Sequence, residues 1–185
     1  ADPAAPHEQR ARQHPTPRYV AEGTGQIYAR SSWEPDATWL SLIAGTYNES
    51  HAHRDQGSLM LFKRQWLAYD SNIQSTSGIR QEEALHNLVR LSNGEGDIRQ
   101  REGTTSQVRA VAQGDGWFYV SVDVTDAYDG HADVTAVRRA LVFLATNTVV
   151  VFDHVNTAAG TTQVWQINSP IEPALSGAQA TFAGD

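Results

Sequence analysis

The sequence predicts an all-β protein, built as an antiparallel two-sheet β-sandwich. Short segments of alternating or continuous apolar residues follow one another closely, with Gly, Asn and Asp between them. Helix-length amphipathic segments are missing, and the stretch GIRQEEALHN is long enough for one helical turn only. The 185 residues, 40% of them hydrophobic, suffice for one domain with a real core.

The N-terminal half contains an arm and then the first strands. Residues 1–20 are rich in Ala, Pro, Arg and His without periodicity, so we predict a linker or N-terminal arm there and a sandwich domain over 21–185. Residues 37–45 form an apolar strand. SLMLFK and WLAYD flank Arg64-Gln65 as a tight hairpin. Residues 85–92 alternate, which predicts a strand with Asn87 on one face and His86 on the other.

The C-terminal half contains two further predicted hairpins. QVRAVAQ and WFYVSVDV flank the turn sequence Gly-Asp-Gly, and RRALVFLA and TVVVFDHV flank Thr146-Asn147. The segment TTQVWQIN closes the clear series of strands.

Composition excludes several classes of function. A formal net charge of −7 disfavours general nucleic-acid binding, which needs a basic surface. No apolar run approaches the roughly 20 residues of a membrane-spanning helix. The chain has no cysteine, so disulfides are excluded and any metal must be bound by His, Asp or Glu.

Three residues of the first half together form a suitable ligand set for zinc. His51 and His53 stand before an apolar segment, and in a strand both rings would share one face. Asp70 ends the segment WLAYD, and His86 begins the next one. His53, Asp70 and His86 would leave a fourth position for water or substrate. The alternative is that Asp70 caps a turn and His86 is a surface residue.

The order of these motifs resembles the heparinase II/III-like family of polysaccharide lyases. The similar segments are SHAHRDQGSLMLFKRQWLAYDSN, SGIRQEEALHNLVRLSNG and IRQREG, with weaker matches on either side, over about residues 19–170. The residues that match the family pattern are His51, His53, Asp55, Asp70, His86, Asn87 and Gln100.

The resemblance implies a sandwich of the heparinase II/III-like type and a lyase that cleaves uronic-acid-containing polysaccharide by β-elimination. It implies His51 as the catalytic residue, with His53, Asp70 and His86 as ligands of a mainly structural zinc. Arg54 and Asn87 are weaker candidates for substrate binding.

Relatives carry an α/α toroid domain that supplies a catalytic tyrosine, and no segment here resembles it. We therefore expect part of a larger enzyme, inactive by itself. The expected partners are an acidic polysaccharide and the missing toroid domain, without nucleic acid or membrane. The resemblance also implies a periplasmic or secreted bacterial protein.

Two other functions remain open at the level of sequence. One is a non-catalytic carbohydrate-binding β-sandwich, in which Trp33, Trp39 or Trp117 would stack on sugar rings, although tryptophans more often belong to the core. The other is a metal-dependent hydrolase, which a His/Asp/His ligand set alone permits. A lyase releases an unsaturated uronate, a hydrolase a saturated sugar, and a binding module no product.

Overall fold

A computed structural model describes residues 18–48, 53–70, 82–145 and 147–182, and these form sixteen strands. The first nine strands are β1 (Arg18–Ala21), β2 (Gln26–Arg30), β3 (Trp39–Ile43), β4 (Thr46–Tyr47), β5 (Leu59–Lys63), β6 (Gln65–Ala68), β7 (Val89–Asn93), β8 (Gly96–Ile98) and β9 (Thr104–Thr105). The other seven are β10 (Gln107–Gly114), β11 (Trp117–Asp123), β12 (Val134–Leu144), β13 (Thr148–Thr157), β14 (Thr162–Trp165), β15 (Ala174–Ser176) and β16 (Gln179–Thr181).

Antiparallel pairing arranges these strands into two main sheets and three smaller ones. The five-stranded sheet has the order β1-β2-β3-β5-β6, and the four-stranded sheet has the order β10-β11-β12-β13. A three-stranded sheet of order β14-β7-β8 and the pairs β4-β9 and β15-β16 complete the set. Among the described residues the helical segments are two short 3-10 helices, Glu83–Leu85 and Thr125–Tyr128.

The two main sheets share one hydrophobic core, which confirms the predicted all-β sandwich. Ile27 and Leu40 of the five-stranded sheet lie in the same buried cluster as Phe118 and Leu141 of the four-stranded sheet, and all four side chains are at most 1% exposed. Leu91 of the three-stranded sheet joins the same cluster. Alternate residues of β2, β11 and most of β12 are buried, as the period of a half-buried strand requires.

The three predicted hairpins are present. Arg64, between β5 and β6, has a φ of 60°, and Asn147, between β12 and β13, has a φ of 70°. Gly116 at the turn between β10 and β11 has a φ of 73°. Left-handed backbone of this kind closes tight turns, and Gly and Asn adopt it at low cost.

Two segments differ from the sequence prediction. The predicted strand over 85–92 begins only at Val89, because the 3-10 helix Glu83–Leu85 and a bend over 86–88 precede it. His86 and Asn87 consequently do not alternate between faces; both are buried. Strand β1 begins at Arg18, so the last three residues of the predicted arm belong to the sheet. No helix long and apolar enough to span a membrane occurs in the described part of the chain.

Candidate metal centre

His53, Asp70 and His86 meet at one end of the five-stranded sheet. Each offers one ligand atom, and these atoms lie within 4.8 Å of one another. The Nδ1 atom of His86 is 3.4 Å from an oxygen of Asp70, and the centroids of the two imidazole rings are 5.4 Å apart. Within the described residues this is the one group of three or more His, Asp or Glu side chains with metal-binding spacing.

His86 provides the best test of whether a metal fits. Its side chain is 0% exposed, and neither ring nitrogen has a hydrogen-bond partner. Leaving a buried polar group without a partner costs about 1–3 kcal/mol, so native proteins usually satisfy such atoms. A cation between His86, Asp70 and His53 would satisfy one of these nitrogens. Two imidazoles and one carboxylate are also a ligand set that zinc accepts.

Burial favours the neutral form of His53. It lowers the pKa of His53; nearby His86 lowers it further and Asp70 raises it in part. A neutral imidazole is the form that can bind a metal, and the lowered pKa of His53 favours that form. Burial also raises the pKa of the neighbouring Asp55 to about 6.

A buried arginine of the four-stranded sheet joins the segments that carry His53 and His86. Arg139 is 3% exposed, and its Nη1 donates to the main-chain carbonyls of Gly57 at 2.6 Å and Asn87 at 2.7 Å. Its Nε and Nη2 donate to the two carboxylate oxygens of Asp153 at 2.7 and 2.9 Å. Gly57 follows the segment that carries His53, and Asn87 follows His86. One guanidinium therefore fixes both segments relative to each other.

A buried glutamine fixes the His53 segment from a second side. The side-chain amide of Gln100 donates to the carbonyl of Gln56 at 2.8 Å and accepts from the N–H of the same residue at 2.9 Å. The main-chain N–H of Gln100 donates to Glu83 at 2.5 Å. Burial raises the pKa of this Glu83 carboxyl. Gln100, which the family resemblance selected, thus supports the loop in the described structure.

The remaining predicted site residues differ in accessibility. His51, the predicted catalytic residue, lies outside the described residues. Arg54 is half-buried, its Nε has no hydrogen-bond partner, and its charge acts on Glu83 and Tyr47.

Asn87 is 1% exposed, and its amide donates to the main-chain carbonyls of Leu59 at 2.8 Å and Tyr69 at 3.1 Å. Its side-chain oxygen accepts from the N–H of Asn168 at 2.5 Å. The side chain therefore joins three backbone segments around the metal centre, and a contact with substrate stays a prediction.

Sequence reasoning did not select Arg139 and Asp153. The inward positions of β12 include Val137, Arg139, Leu141 and Phe143, so a charged residue interrupts an apolar series. That interruption is a usable signal, because a buried arginine needs acceptors on the protein. The identity of its partner, Asp153, can be inferred only once the pairing of β12 with β13 is known, because the two residues stand opposite each other in that pairing.

Comparison with solved structures finds a similar fold within heparinase structures. Heparan sulfate lyase HepC from Pedobacter heparinus matches with a TM-score of 0.65 and 18% identity, over 93% of this chain and 30% of that one. The heparinase III BT4657 gene product matches with a TM-score of 0.69 and 18% identity, over 87% of this chain and 25% of that one. A further heparinase III structure matches with a TM-score of 0.59 and 18% identity, over 83% of this chain and 28% of that one.

These matches confirm the predicted resemblance at the level of fold. The chain spans less than a third of the length of each of these heparinase structures. No protein-family model and no curated protein matches the sequence. Function therefore has to be argued from the site.

Proposed function

We propose that this chain is the β-sandwich portion of a polysaccharide lyase that acts on uronic-acid-containing polysaccharide. One observation carries the proposal: His53, Asp70 and the fully buried His86 have metal-binding spacing on a fold shared with a heparan sulfate lyase. A general carbohydrate-binding sandwich has no need for an imidazole that is fully buried and lacks hydrogen bonds.

In this proposal zinc is held by His53, Asp70 and His86 and has a mainly structural role. When bound, it supplies a fixed positive charge that holds the three side chains together. His53 anchors the segment that leads to His51, two residues earlier in the chain. Arg139 and Gln100 fix the same segment from behind, so the ligand-bearing loop is supported from two sides.

β-Elimination requires removal of a proton from C5 of a uronic acid and protonation of the departing oxygen at C4. The C5 proton becomes acidic enough only when the neighbouring carboxylate is neutralised. His51 is the proposed base or carboxylate neutraliser. The half-buried Arg54, which follows His53 in the chain, is the proposed second contact for that carboxylate.

The proposal includes a partner domain and a place of action. The chain spans under a third of its structural neighbours, and the proposed source of the rest of the cleft is an α/α toroid domain. We expect little turnover by the chain alone. Acidic polysaccharides of this kind occur outside the cytoplasm, which supports a periplasmic or secreted protein.

Elemental analysis of purified chain without added metal tests the metal centre. We expect about one zinc per chain, and we expect His53→Ala and Asp70→Ala each to lower both zinc content and thermal stability. His51→Ala should keep its zinc. His154→Ala, at an exposed position of β13, is the matched histidine control. Full zinc content in both ligand variants would refute the assignment.

Activity is tested in the presence of the rest of the enzyme. The lyase hypothesis predicts products that end in an unsaturated uronate, which absorbs in the near ultraviolet. Saturated products would instead support the metal-dependent hydrolase. If the protein is a lyase, His51→Ala should abolish the unsaturated product and leave the zinc content unchanged.

A further inference from the structure

Aromatic side chains occur on the outer faces of both main sheets, but they are arranged differently. On the four-stranded sheet Trp117, Tyr119 and Phe152 alternate with aliphatic and charged side chains, such as Val142 and Arg138. On the five-stranded sheet five aromatic rings lie next to one another. These rings belong to Tyr28, Trp39, Phe62, Trp66 and Tyr69, and all five residues are half-buried.

The five aromatic residues form a connected row, here called the aromatic row. Its successive ring centroids are 6.2 Å apart from Tyr28 to Trp39, 5.7 Å from Trp39 to Trp66 and 6.0 Å from Trp66 to Tyr69. Phe62 packs against Trp66 at 5.3 Å. The row crosses the sheet because Trp39 stands opposite Phe62, and Phe62 stands opposite Trp66, in the strand register.

The aromatic row ends at the metal centre. Tyr69 directly precedes the ligand Asp70 in the chain. Its carbonyl accepts from the amide of Asn87 at 3.1 Å, and its N–H donates to the carbonyl of Asn168 at 2.8 Å. Asn87 is also the neighbour of His86. The last ring of the row is therefore held on the same backbone network as two of the three ligands.

We propose that the aromatic row is a binding surface for a uronate-containing oligosaccharide, along which the chain of sugars reaches the metal centre. This inference rests on the proposed function, because it takes the same substrate class. Aromatic rings carry negative faces that attract the weakly positive C–H groups of a sugar ring. Tyrosine and tryptophan also offer polar groups to sugar hydroxyls at little conformational cost.

A cationic side chain lies beside the aromatic row. Arg30 stands opposite Trp39 in the register, so both side chains share the outer face, and its guanidinium lies 5.2 Å from the centroid of the Trp33 ring. Half-buried rings with a guanidinium group beside them match a ligand that has apolar ring faces and carboxylates.

Oligosaccharide binding to the full chain tests the proposal by calorimetry with a size-defined heparan sulfate hexasaccharide. We expect Trp66→Ala to weaken binding about tenfold, since it removes the central ring of the row. Phe152→Ala, an aromatic truncation on the other outer face, is the control and should bind within about twofold of the wild type. The Trp66→Phe variant should recover part of the loss and guards against misfolding.

A second measurement needs no variant. In a ¹⁵N-correlated NMR spectrum, hexasaccharide should shift the indole N–H signals of Trp39 and Trp66 and leave that of Trp117, on the other face, in place. Unmoved Trp39 and Trp66 signals, equal losses in Trp66→Ala and Phe152→Ala, or no binding by the wild type would overturn the proposal. Self-association that Trp66→Ala abolishes, without sugar binding, would instead identify a protein interface.

The outcome separates this inference from the proposed function. His53→Ala should lose zinc and still bind the hexasaccharide through the aromatic row. A wild-type chain that binds hexasaccharide but no zinc would contradict the metal centre and leave the row supported. A chain that holds zinc and ignores the hexasaccharide would contradict the row alone.

Discussion

Replacing Arg139 by methionine tests whether the buried guanidinium holds the metal centre together. Arg139→Met keeps much of the side-chain volume but removes every donor. Asp153, with a side chain 15% exposed, would lose its bidentate partner. The carbonyl of Gly57 would lose the Arg139 donor, whereas that of Asn87 keeps the N–H of Leu59 at 3.3 Å.

The cost follows from these contacts. Breaking a buried ion pair by removing one partner costs about 3–5 kcal/mol in free energy of unfolding. The cost of the unpaired Gly57 carbonyl overlaps with this figure and is not added in full. We therefore expect Arg139→Met to lower the free energy of unfolding by about 4 kcal/mol. The double variant Arg139→Met with Asp153→Leu removes the stranded carboxylate and should recover about half of that loss.

Urea denaturation, followed with EDTA and again with saturating zinc, measures both quantities. Because Arg139 fixes the His53 and His86 segments, we expect zinc affinity to fall at least about tenfold in Arg139→Met. A loss below about 1 kcal/mol, or a double variant no more stable than the single one, would refute the reasoning. If the variant is destabilised but its zinc affinity is unchanged, Arg139 stabilises the fold without positioning the metal centre.

Two further predictions concern the scaffold. Burial raises the pKa of Tyr128 to about 12, so the unfolded chain releases this proton first and the free energy of unfolding falls as pH rises above about 10. Tyr128→Phe should remove about 1 kcal/mol of that loss at pH 11, measured by urea titrations at about pH 8 and 11. The same pH dependence in Tyr128→Phe and wild type would contradict this prediction. Gly25 has a φ of 65°, and an added Cβ would lie 2.2 Å from the carbonyl oxygen of Ala44, so Gly25→Ala should cost at least about 3 kcal/mol by thermal melting. Gly23→Ala, where a Cβ meets nothing within 4 Å, is the control and should melt within a few degrees of the wild type.

The hairpins of the fold were predictable because their signals are local. Apolar alternation fixes which side chains face the core, and turn residues fix where the strand reverses. The grouping of His53, Asp70 and His86 was also predictable as chemistry, because a chain without cysteine can bind a metal only through His, Asp or Glu, and their role as zinc ligands stays a prediction. His53, Asp70 and His86 meet as that reasoning expected.

Features that depend on pairing between distant segments were not predictable in the same way. The pattern of residues 85–92 satisfies strand alternation, yet its first residues fold as a bend because Asn87 bonds to backbone of three other segments. Arg139 reaches Gly57 across 82 positions of the sequence. The aromatic row likewise requires the register of four strands, which single-sequence patterns do not determine.

The position of the metal centre has a consequence for how this chain resists unfolding. A chain without cysteine has no covalent crosslink available between its segments. A cation held by His53, Asp70 and His86 would close two successive loops of the chain, one from His53 to Asp70 and one from Asp70 to His86. It would therefore serve as a reversible crosslink, or staple. Reducing agents would leave such a staple intact. Acid or a chelator would open it, and reloading the metal would close it again without any redox step.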